Sequence, residues 1–157
     1  MSVFDFRTYL ETLEKNDDLL RVPIEIDTLD DMGAFIARAD YSGLDKPILF
    51  EKPKGFDIPV LANTVGHTTK RMADAFGLSE ENLLPNIAAQ MMSIIKSGGV
   101  PPVYVDKDKA ACKEVIMTGH DVDLSVLPLL RLNPDDGKGS PDMAEGRFIT
   151  SVCVSKP

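Results

Sequence analysis

The first 63 residues alternate between helical and extended hydrophobic spacing, and this alternation constrains the fold most. Residues 2–15 repeat apolar side chains every three or four positions, which is typical of an amphipathic helix. Residues 20–26 alternate apolar and polar side chains, which is typical of a strand. The predicted inner faces are Phe6, Tyr9, Leu10 and Leu13 on the helix and Leu20, Val22, Ile24 and Ile26 on the strand. Because Pro23 has no N–H for a sheet ladder, this strand should lie at an edge or be unpaired there.

The next segments repeat the alternation. Asp27 or Thr28 can cap a second helix, because a side-chain oxygen at that position satisfies free N–H groups. The apolar stripe of this helix consists of Met32, Phe35, Ile36 and Ala39. Two strands are predicted at residues 46–51 and 58–63, with a turn between them. We therefore expect an α+β fold, a mixed β-sheet flanked by helices.

Two more helices are predicted in the second half of the chain. Thr68 or Thr69 can open a short helix that ends at Gly77, a residue suited to the left-handed terminal position. A longer helix begins near Ser79 and ends at Gly98. Its predicted inner stripe consists of Leu83, Leu84, Ile87, Met91, Ile94 and Ile95. The spacing of these apolar residues predicts that one face of the longer helix is buried.

The last third of the chain combines strand patterns with a loop-like composition. Residues 100–105 and 113–118 have strand patterns, and residues 121–130 hold leucines that should pin a loop onto the core. Residues 133–146 are rich in Gly, Pro and Asp, a composition typical of a mobile loop or an interdomain linker. Residues 147–155 again have the pattern of an apolar strand.

This order predicts the domain organisation. We expect an N-terminal α/β domain at residues 1–132, a linker at 133–146, and at 147–157 the start of a second domain that is otherwise absent. A domain seldom ends on an apolar strand with no polar tail after it. The alternative is that this strand completes the first sheet as a docked C-terminus.

Composition and charge narrow the class of protein. With 17 Lys and Arg against 25 Asp and Glu, the formal net charge is −8, which argues against a nucleic-acid or anionic-membrane surface. No apolar run approaches the ~18 residues of a membrane span, and the N-terminus lacks the pattern of a secretory signal. We therefore expect a cytoplasmic protein without an integral membrane segment, in which Cys112 and Cys153 are free thiols.

Residues that could perform chemistry are scattered. His67 precedes a predicted helix, and His120 lies between Gly119 and Asp121 in a segment that suits a solvated turn better than a metal site. The acidic pairs lie at predicted helix ends, where capping and dipole effects explain them. None of the common nucleophile, phosphate-binding or zinc-binding motifs is present. The residues by themselves predict a mixed α/β domain with no visible active site.

Six ordered segments carry a family resemblance. Two of them are PILFEKPKGFDIPV at residues 47–60 and DVDLSVLP at residues 121–128. The other four are residues 5–14, 18–27, 36–40 and 62–77. In this order, and over nearly the whole chain, they resemble the N-terminal domain of UbiD-like decarboxylases, the polyprenyl-hydroxybenzoate carboxy-lyase family.

The resemblance implies a non-oxidative, reversible decarboxylase of an aromatic or α,β-unsaturated carboxylic acid. Such an enzyme uses prenylated FMN, with a divalent Mn or Mg ion and potassium at the cofactor phosphate. The middle domain of the family is a split β-barrel that binds the flavin, so residues 147–157 would begin that barrel. No residue of the family's catalytic network maps onto this sequence. Thr150 and Ser151 are the positions that could approach the cofactor, although ordinary placement in a strand is the preferred explanation of these hydroxyl residues.

Two functions follow from these observations. The first is an N-terminal piece of a decarboxylase, inactive and without bound cofactor on its own, whose partners are the middle and C-terminal domains and a small carboxylic acid. The complete enzyme would be a homo-oligomer. The second is a free-standing, non-catalytic scaffold or accessory subunit that docks onto a catalytic partner. A coding sequence that continues past Pro157 into a flavin-barrel pattern favours the first, and a stop immediately after it favours the second.

Overall fold

The computed structural model describes residues 6–65, 68–110, 113–139 and 146–147. It divides into two compact units, one formed by Met1–His67 with Ser125–Pro157 and one formed by Thr68–Leu124. The first unit contains α1 (Phe6–Lys15), β1 (Leu20–Ile26), α2 (Asp31–Tyr41), β2 (Ile48–Pro53) and β3 (Val60–Ala62). The second contains α3 (Thr69–Phe76) and α4 (Leu83–Lys96). Within the described ranges, no helix is long and apolar enough to cross a membrane.

The first unit is built on a three-stranded mixed sheet in the order β1-β2-β3. Strands β1 and β2 are parallel and are connected through α2, whereas β2 and β3 are antiparallel. Parallel neighbours need a crossover connection, which α2 provides, and antiparallel neighbours can be joined by a short turn. The predicted mixed sheet with flanking helices is therefore confirmed. Pro23 lies on an edge strand, as its missing N–H requires.

Strand β1 is irregular at its centre. Val22 pairs with Phe50 and Glu25 pairs with Lys52, so Pro23 and Ile24 together stand opposite one residue of β2. Such a bulge locally interrupts the side-chain alternation of the strand and increases its twist. Val22 and Ile26 are consequently buried, while Ile24 is 65% exposed. The prediction of an inner face that includes Ile24 is wrong for this reason.

The core of the first unit lies between the sheet and α2. Its buried members are Val22, Ile26, Met32, Ala39, Ile48 and Phe50. Phe35 packs against them and meets Phe50 edge to face, with the ring centroids 5.5 Å apart. This arrangement confirms the predicted inner stripe of α2. An edge-to-face pair adds about 1 kcal/mol to the burial of its two rings.

Helix α1 is oriented by Tyr9 and Leu13, which are both buried. The Tyr9 hydroxyl donates a 2.6 Å hydrogen bond to the carbonyl oxygen of Thr64, just after β3. A buried phenol needs such a partner. Phe6, at the first residue of α1, is 59% exposed. The predicted inner position of Phe6 is therefore wrong.

Helix α3 begins and ends where local chemistry predicts, whereas α4 begins at Leu83, four residues after the predicted start near Ser79. The Thr68 hydroxyl accepts a hydrogen bond from the N–H of Arg71, and Gly77 ends α3 at a φ of +65°. Both features were expected from the sequence, because a cap depends only on residues within one turn. Helix α4 runs from Leu83 to Lys96, and the glycines that follow it are in the left-handed region.

The two strands predicted after α4 are absent. Residues 100–105 have no regular structure, and residues 113–118 form bends and extended chain next to single helical turns. A strand is stable only when a neighbour completes its ladder of hydrogen bonds. Among the described residues, no segment of the second unit supplies that neighbour. The strand predictions are therefore wrong for this chain.

The predicted loop at residues 121–130 is pinned to the core at its last residue. Leu130 packs against the core of the first unit, whereas Val122, Leu124 and Val126 are exposed. Residues 133–139 then form consecutive turns.

Candidate functional site

The described residues contain no catalytic or metal-binding cluster. No group of three or more His, Cys, Asp or Glu in this part of the chain is arranged to hold a metal ion. His120 is exposed on the single helical turn Gly119–Asp121. His67, Thr150 and Ser151 lie outside the described residues. We therefore assign no step of a reaction to the described residues.

The acidic residues at helix ends have structural partners. The Glu80 carboxylate accepts a 3.1 Å hydrogen bond from the Thr69 hydroxyl, and the Asp17 carboxylate forms an ion pair with Lys46 at 3.8 Å. Asp17 itself has a φ of +53° in the turn after α1, a conformation that Asp tolerates better than most residues. These contacts support the prediction that the acidic pairs end helices rather than catalyse a reaction.

Several hydrogen bonds and an ion pair join the start of α2 to residues 130–133, which we call the clasp. The N–H of Arg131 donates to the carbonyl of Thr28, and its Nε donates to the carbonyl of Leu29, each at 3.2 Å. The guanidinium also forms an ion pair with Asp30. Leu130 fixes the other end of the clasp in the core. The clasp thus holds the chain against α2 immediately before the predicted linker.

Gly33 makes this close approach possible. A Cβ atom on Gly33 would lie 2.8 Å from the carbonyl oxygen of Arg131 and 2.9 Å from that of Leu132. Side-chain contacts are essentially never that short, so only glycine fits between α2 and the clasp. Beside Gly33 lies a groove of about 180 Å³, lined in part by Ala34, Ala37 and Pro134. Ligand pockets usually measure ~300–1,000 Å³. The groove is therefore a packing seam rather than a ligand site.

The carboxylate of Asp27, just before α2, accepts backbone hydrogen bonds and lies near two positive charges. Its Oδ1 accepts hydrogen bonds from the N–H groups of Leu29 at 2.7 Å and Asp30 at 3.3 Å. The bond from Leu29 is the main reason that the pKa of Asp27 is lowered, and the positive charges of Lys54 and Arg147 add to it against the effect of burial. Arg147 is the first residue of the predicted 147–155 strand, so the described chain returns to this region after the linker.

A glycine also marks that return. Gly146 is buried at a φ of +65°, and a Cβ atom there would overlap the carbonyl of Asp136. Glycine is the residue that adopts this conformation without strain. The two ends of the predicted linker therefore approach each other at Asp136 and Gly146.

A different surface dominates the second unit. Only Leu83 of α4 is buried, although a buried stripe of six apolar residues was predicted. The exposed fraction of Leu84 is 69%, that of Met91 is 56% and that of Ile95 is 65%. Residues 100–105 continue this exposure, with Val103 and Tyr104 about nine-tenths exposed. We call the exposed apolar side chains of residues 83–105 the α4 surface.

A family model identifies the protein family to which this chain belongs. The model of the 3-octaprenyl-4-hydroxybenzoate carboxy-lyase N-terminal domain matches residues 10–91, just over half of the chain. The chain belongs to the UbiD family. The matched range contains the whole sheet of the first unit and most of α4. The sequence resemblance to the N-terminal domain of UbiD-like decarboxylases is confirmed.

Solved UbiD structures have the same fold. Vanillic acid decarboxylase from Sedimentibacter hydroxybenzoicus, in its closed form, is 31% identical with a TM-score of 0.71. The match covers 87% of this chain and 29% of that one. An evolved dimeric form of the UbiD-class enzyme HmfF from Pelotomaculum thermopropionicum, in complex with prFMN, is 29% identical with a TM-score of 0.67. That match covers 79% of this chain and 27% of the HmfF chain. The chain therefore spans less than a third of these UbiD chains.

Sequence reasoning missed the clasp. Its one local signal is Gly33, because a glycine inside an amphipathic helix costs about 1 kcal/mol relative to alanine and so indicates a packing requirement. Nothing near Arg131 identifies Asp30 as its partner, since 101 residues separate the two. Such a contact is visible only after the chain has folded.

Proposed function

We propose that this chain is the N-terminal domain of a non-oxidative, reversible decarboxylase that uses prenylated FMN and acts on an aromatic or α,β-unsaturated carboxylic acid. The match of the UbiD N-terminal family model to residues 10–91 carries this proposal. The likeness to vanillic acid decarboxylase at 31% identity supports the class of substrate, a carboxylic acid conjugated with a ring or a double bond. The complete enzyme is a cytoplasmic homo-oligomer.

The domain contributes structure rather than chemistry. In the proposed enzyme, residues 133–146 are the linker and residues 147–157 begin a split β-barrel that binds prenylated FMN with Mn or Mg and potassium. Thr150 and Ser151 are the residues of this chain that approach the cofactor. The 157-residue chain alone neither decarboxylates nor retains the flavin.

The test is a comparison of two polypeptides produced in cells that make prenylated FMN. One is the 157-residue chain, and the other is the longer product of the same reading frame. We expect flavin absorbance and CO₂ release from a panel of aromatic and α,β-unsaturated acids in the longer polypeptide only. Flavin that co-purifies with the 157-residue chain would refute the passive role. A longer polypeptide that binds no flavin would refute the proposed function.

The two hydroxyl residues need a test of their own. Replacing both Thr150 and Ser151 with alanine in the longer polypeptide should lower flavin occupancy. Ser155→Ala, in the same predicted strand, is the matched control and should leave occupancy unchanged. Equal occupancy in all three proteins would assign Thr150 and Ser151 to ordinary strand positions.

The second candidate function is a separate, non-catalytic subunit that docks onto a catalytic partner. The exposed α4 surface favours it, because an apolar helix face of this kind is normally covered by another protein. A reading frame that ends after Pro157, together with a catalytic protein captured by this chain, would support it. A chain that stays monomeric at high concentration and captures no catalytic protein contradicts it.

A further inference from the structure

The α4 surface is organised as a continuous stripe. Leu84, Ala88, Met91 and Ile95 follow one another at the spacing of a single helix face, and all four are exposed. Leu83 and Ile87 lie on a different side of the helix and are buried or half-buried. Helix α4 therefore has two apolar sides, of which the second unit covers one. A helix that is apolar on both sides is typical of a buried element rather than a solvated one.

The stripe continues into the chain that follows. Between residues 82 and 105 the single charged side chain is Lys96, in a protein whose charged fraction is 27%. A solvated surface normally carries both signs of charge throughout. The run of residues 83–105 is also comparable with the roughly 20–30 residues that one side of a standard protein interface contributes.

The second unit also contains segments with a strand-like sequence that do not pair with a neighbouring strand. Residues 113–118 have a strand pattern, yet Val115, Ile116 and Met117 are 45–71% exposed. Within the described part of the chain, residues 100–105 and 114–117 form no backbone hydrogen bonds with other backbone groups. An apolar strand sequence without a neighbour is a template for pairing with another sheet edge. The α4 surface thus lacks an apolar surface to cover it, and residues 113–118 lack a strand to pair with.

The chemistry of the surface limits what can cover it. Lipid headgroups and nucleic acids need clustered positive charge, and Lys96 is the lone cation between residues 82 and 105. A folded protein with apolar side chains and an open strand edge meets both requirements. The likeness to vanillic acid decarboxylase covers 87% of this chain but 29% of that chain, so most of that polypeptide lies outside the shared domain. That remainder is the occupant that the size of the relatives supports.

We propose that the α4 surface is the docking face for the remainder of the decarboxylase polypeptide, and that residues 113–118 become a strand when it docks. The inference rests on the proposed function, because it assigns the occupant to the same longer chain. Docking removes the exposed stripe from water and supplies the missing ladder. It also explains why sequence patterns predict strands that this chain by itself does not form.

The test measures amide hydrogen exchange in the 157-residue chain and in the longer product of the reading frame. We expect amides of α4 and of residues 113–118 to exchange at least about tenfold more slowly in the longer polypeptide, because docking must open before they exchange. Leu84→Lys combined with Ile95→Lys should remove that protection. The matched control is Ala89→Lys combined with Ser93→Lys, which adds the same charge on a different, exposed side of α4 and should preserve the protection.

The variants must be neutral in the 157-residue chain. Since the stripe is exposed there, both double variants should keep the urea midpoint of the unmodified chain. A loss specific to Leu84→Lys with Ile95→Lys would make the stripe part of the second unit's own core and overturn the inference. Protection that grows with the concentration of the 157-residue chain would assign the surface to a second copy and also overturn it.

The outcomes separate this inference from the proposed function. A longer polypeptide that protects α4 but releases no CO₂ from any acid supports docking and contradicts the decarboxylase. An active polypeptide in which α4 exchanges as fast as in the 157-residue chain contradicts docking alone. A reading frame that ends at residue 157 contradicts both, because the proposed occupant would not exist.

Discussion

The carbonyl oxygen of Arg131 would lie 2.8 Å from a Cβ atom on Gly33, so the backbones of helix α2 and of the clasp approach each other directly at this point. The two residues come from the two separate segments of the first unit, Gly33 from Met1–His67 and Arg131 from Ser125–Pro157. Their contact fixes the place at which the chain leaves the sheet core for the predicted linker. It also makes the helical position of Gly33 sensitive to a single methyl group.

Gly33→Ala should destabilise the chain by about 1–3 kcal/mol, because the added methyl group forces the clasp away from α2. In an unobstructed helix the same change would stabilise by about 0.5–1 kcal/mol, so the two cases differ in sign. Urea unfolding of the chain measures the effect. Arg38→Ala compared with Arg38→Gly, at an exposed position of α2 outside the groove, calibrates the helix propensity alone. An unchanged or raised midpoint for Gly33→Ala would show that the clasp does not make this contact.

Arg131→Ala should lower the free energy of unfolding by about 1–2 kcal/mol, because it removes a hydrogen bond to the Leu29 carbonyl and the ion pair with Asp30. Arg131→Lys should recover part of this loss, since lysine keeps the charge but not the planar fork. Arg21→Ala is the control, because Arg21 pairs with Glu14 and Glu51 but its side chain is 49% exposed against 21% for Arg131. We expect about 0.5 kcal/mol for that exposed pair. Equal losses at both positions would contradict a special role for the clasp.

Asp27→Asn tests the electrostatics at the start of α2. The folded-state pKa of Asp27 is lowered, so its ionised form adds stability above the unfolded-state pKa of about 4, and this stability is lost as the pH falls through the lower folded-state pKa. Asn keeps the side-chain acceptor but not the charge. The variant should be less stable by about 1 kcal/mol at pH 7, and the difference should shrink below about pH 4.

Urea unfolding at pH 7 and at acid pH checks the Asp27 prediction. Asp57→Asn, in the exposed turn after β2, should stay within about 0.5 kcal/mol of the unmodified chain at each pH. A difference between Asp27→Asn and the unmodified chain that is constant across this range would exclude the ionised carboxylate as its source.

Two isoleucines of β1 test the bulge. Ile26→Ala should cost about 2–5 kcal/mol, because Ile26 is 8% exposed and belongs to the core. Ile24→Ala should stay within about 0.5 kcal/mol, since Ile24 is 65% exposed. Both variants remove the same atoms from the same strand, so each is the control for the other. Comparable losses would mean that β1 follows the simple alternation that its sequence predicts.

Much of the first unit could be predicted from local patterns. The inner stripe of α2 follows from helical spacing, and the edge position of β1 follows from the missing N–H of Pro23. The ends of α3 follow from Thr68 and Gly77, because their hydrogen bonds reach no further than one turn. The contact between α2 and the clasp could not be predicted in this way. Asp30, Gly33 and Arg131 are brought together only by the path of the chain after residue 124.

The sequence by itself therefore determined which segments of the first unit are helical or extended and that the chain resembles a UbiD N-terminal domain. Tertiary structure decided which apolar residues are covered. Ile24 is exposed because β1 bulges opposite β2, and Leu84 is exposed because α4 buries a different side. Residues 113–118 are not a strand because a ladder needs a neighbour from elsewhere in space. Spacing along a chain encodes local geometry, whereas burial and pairing depend on which surfaces meet.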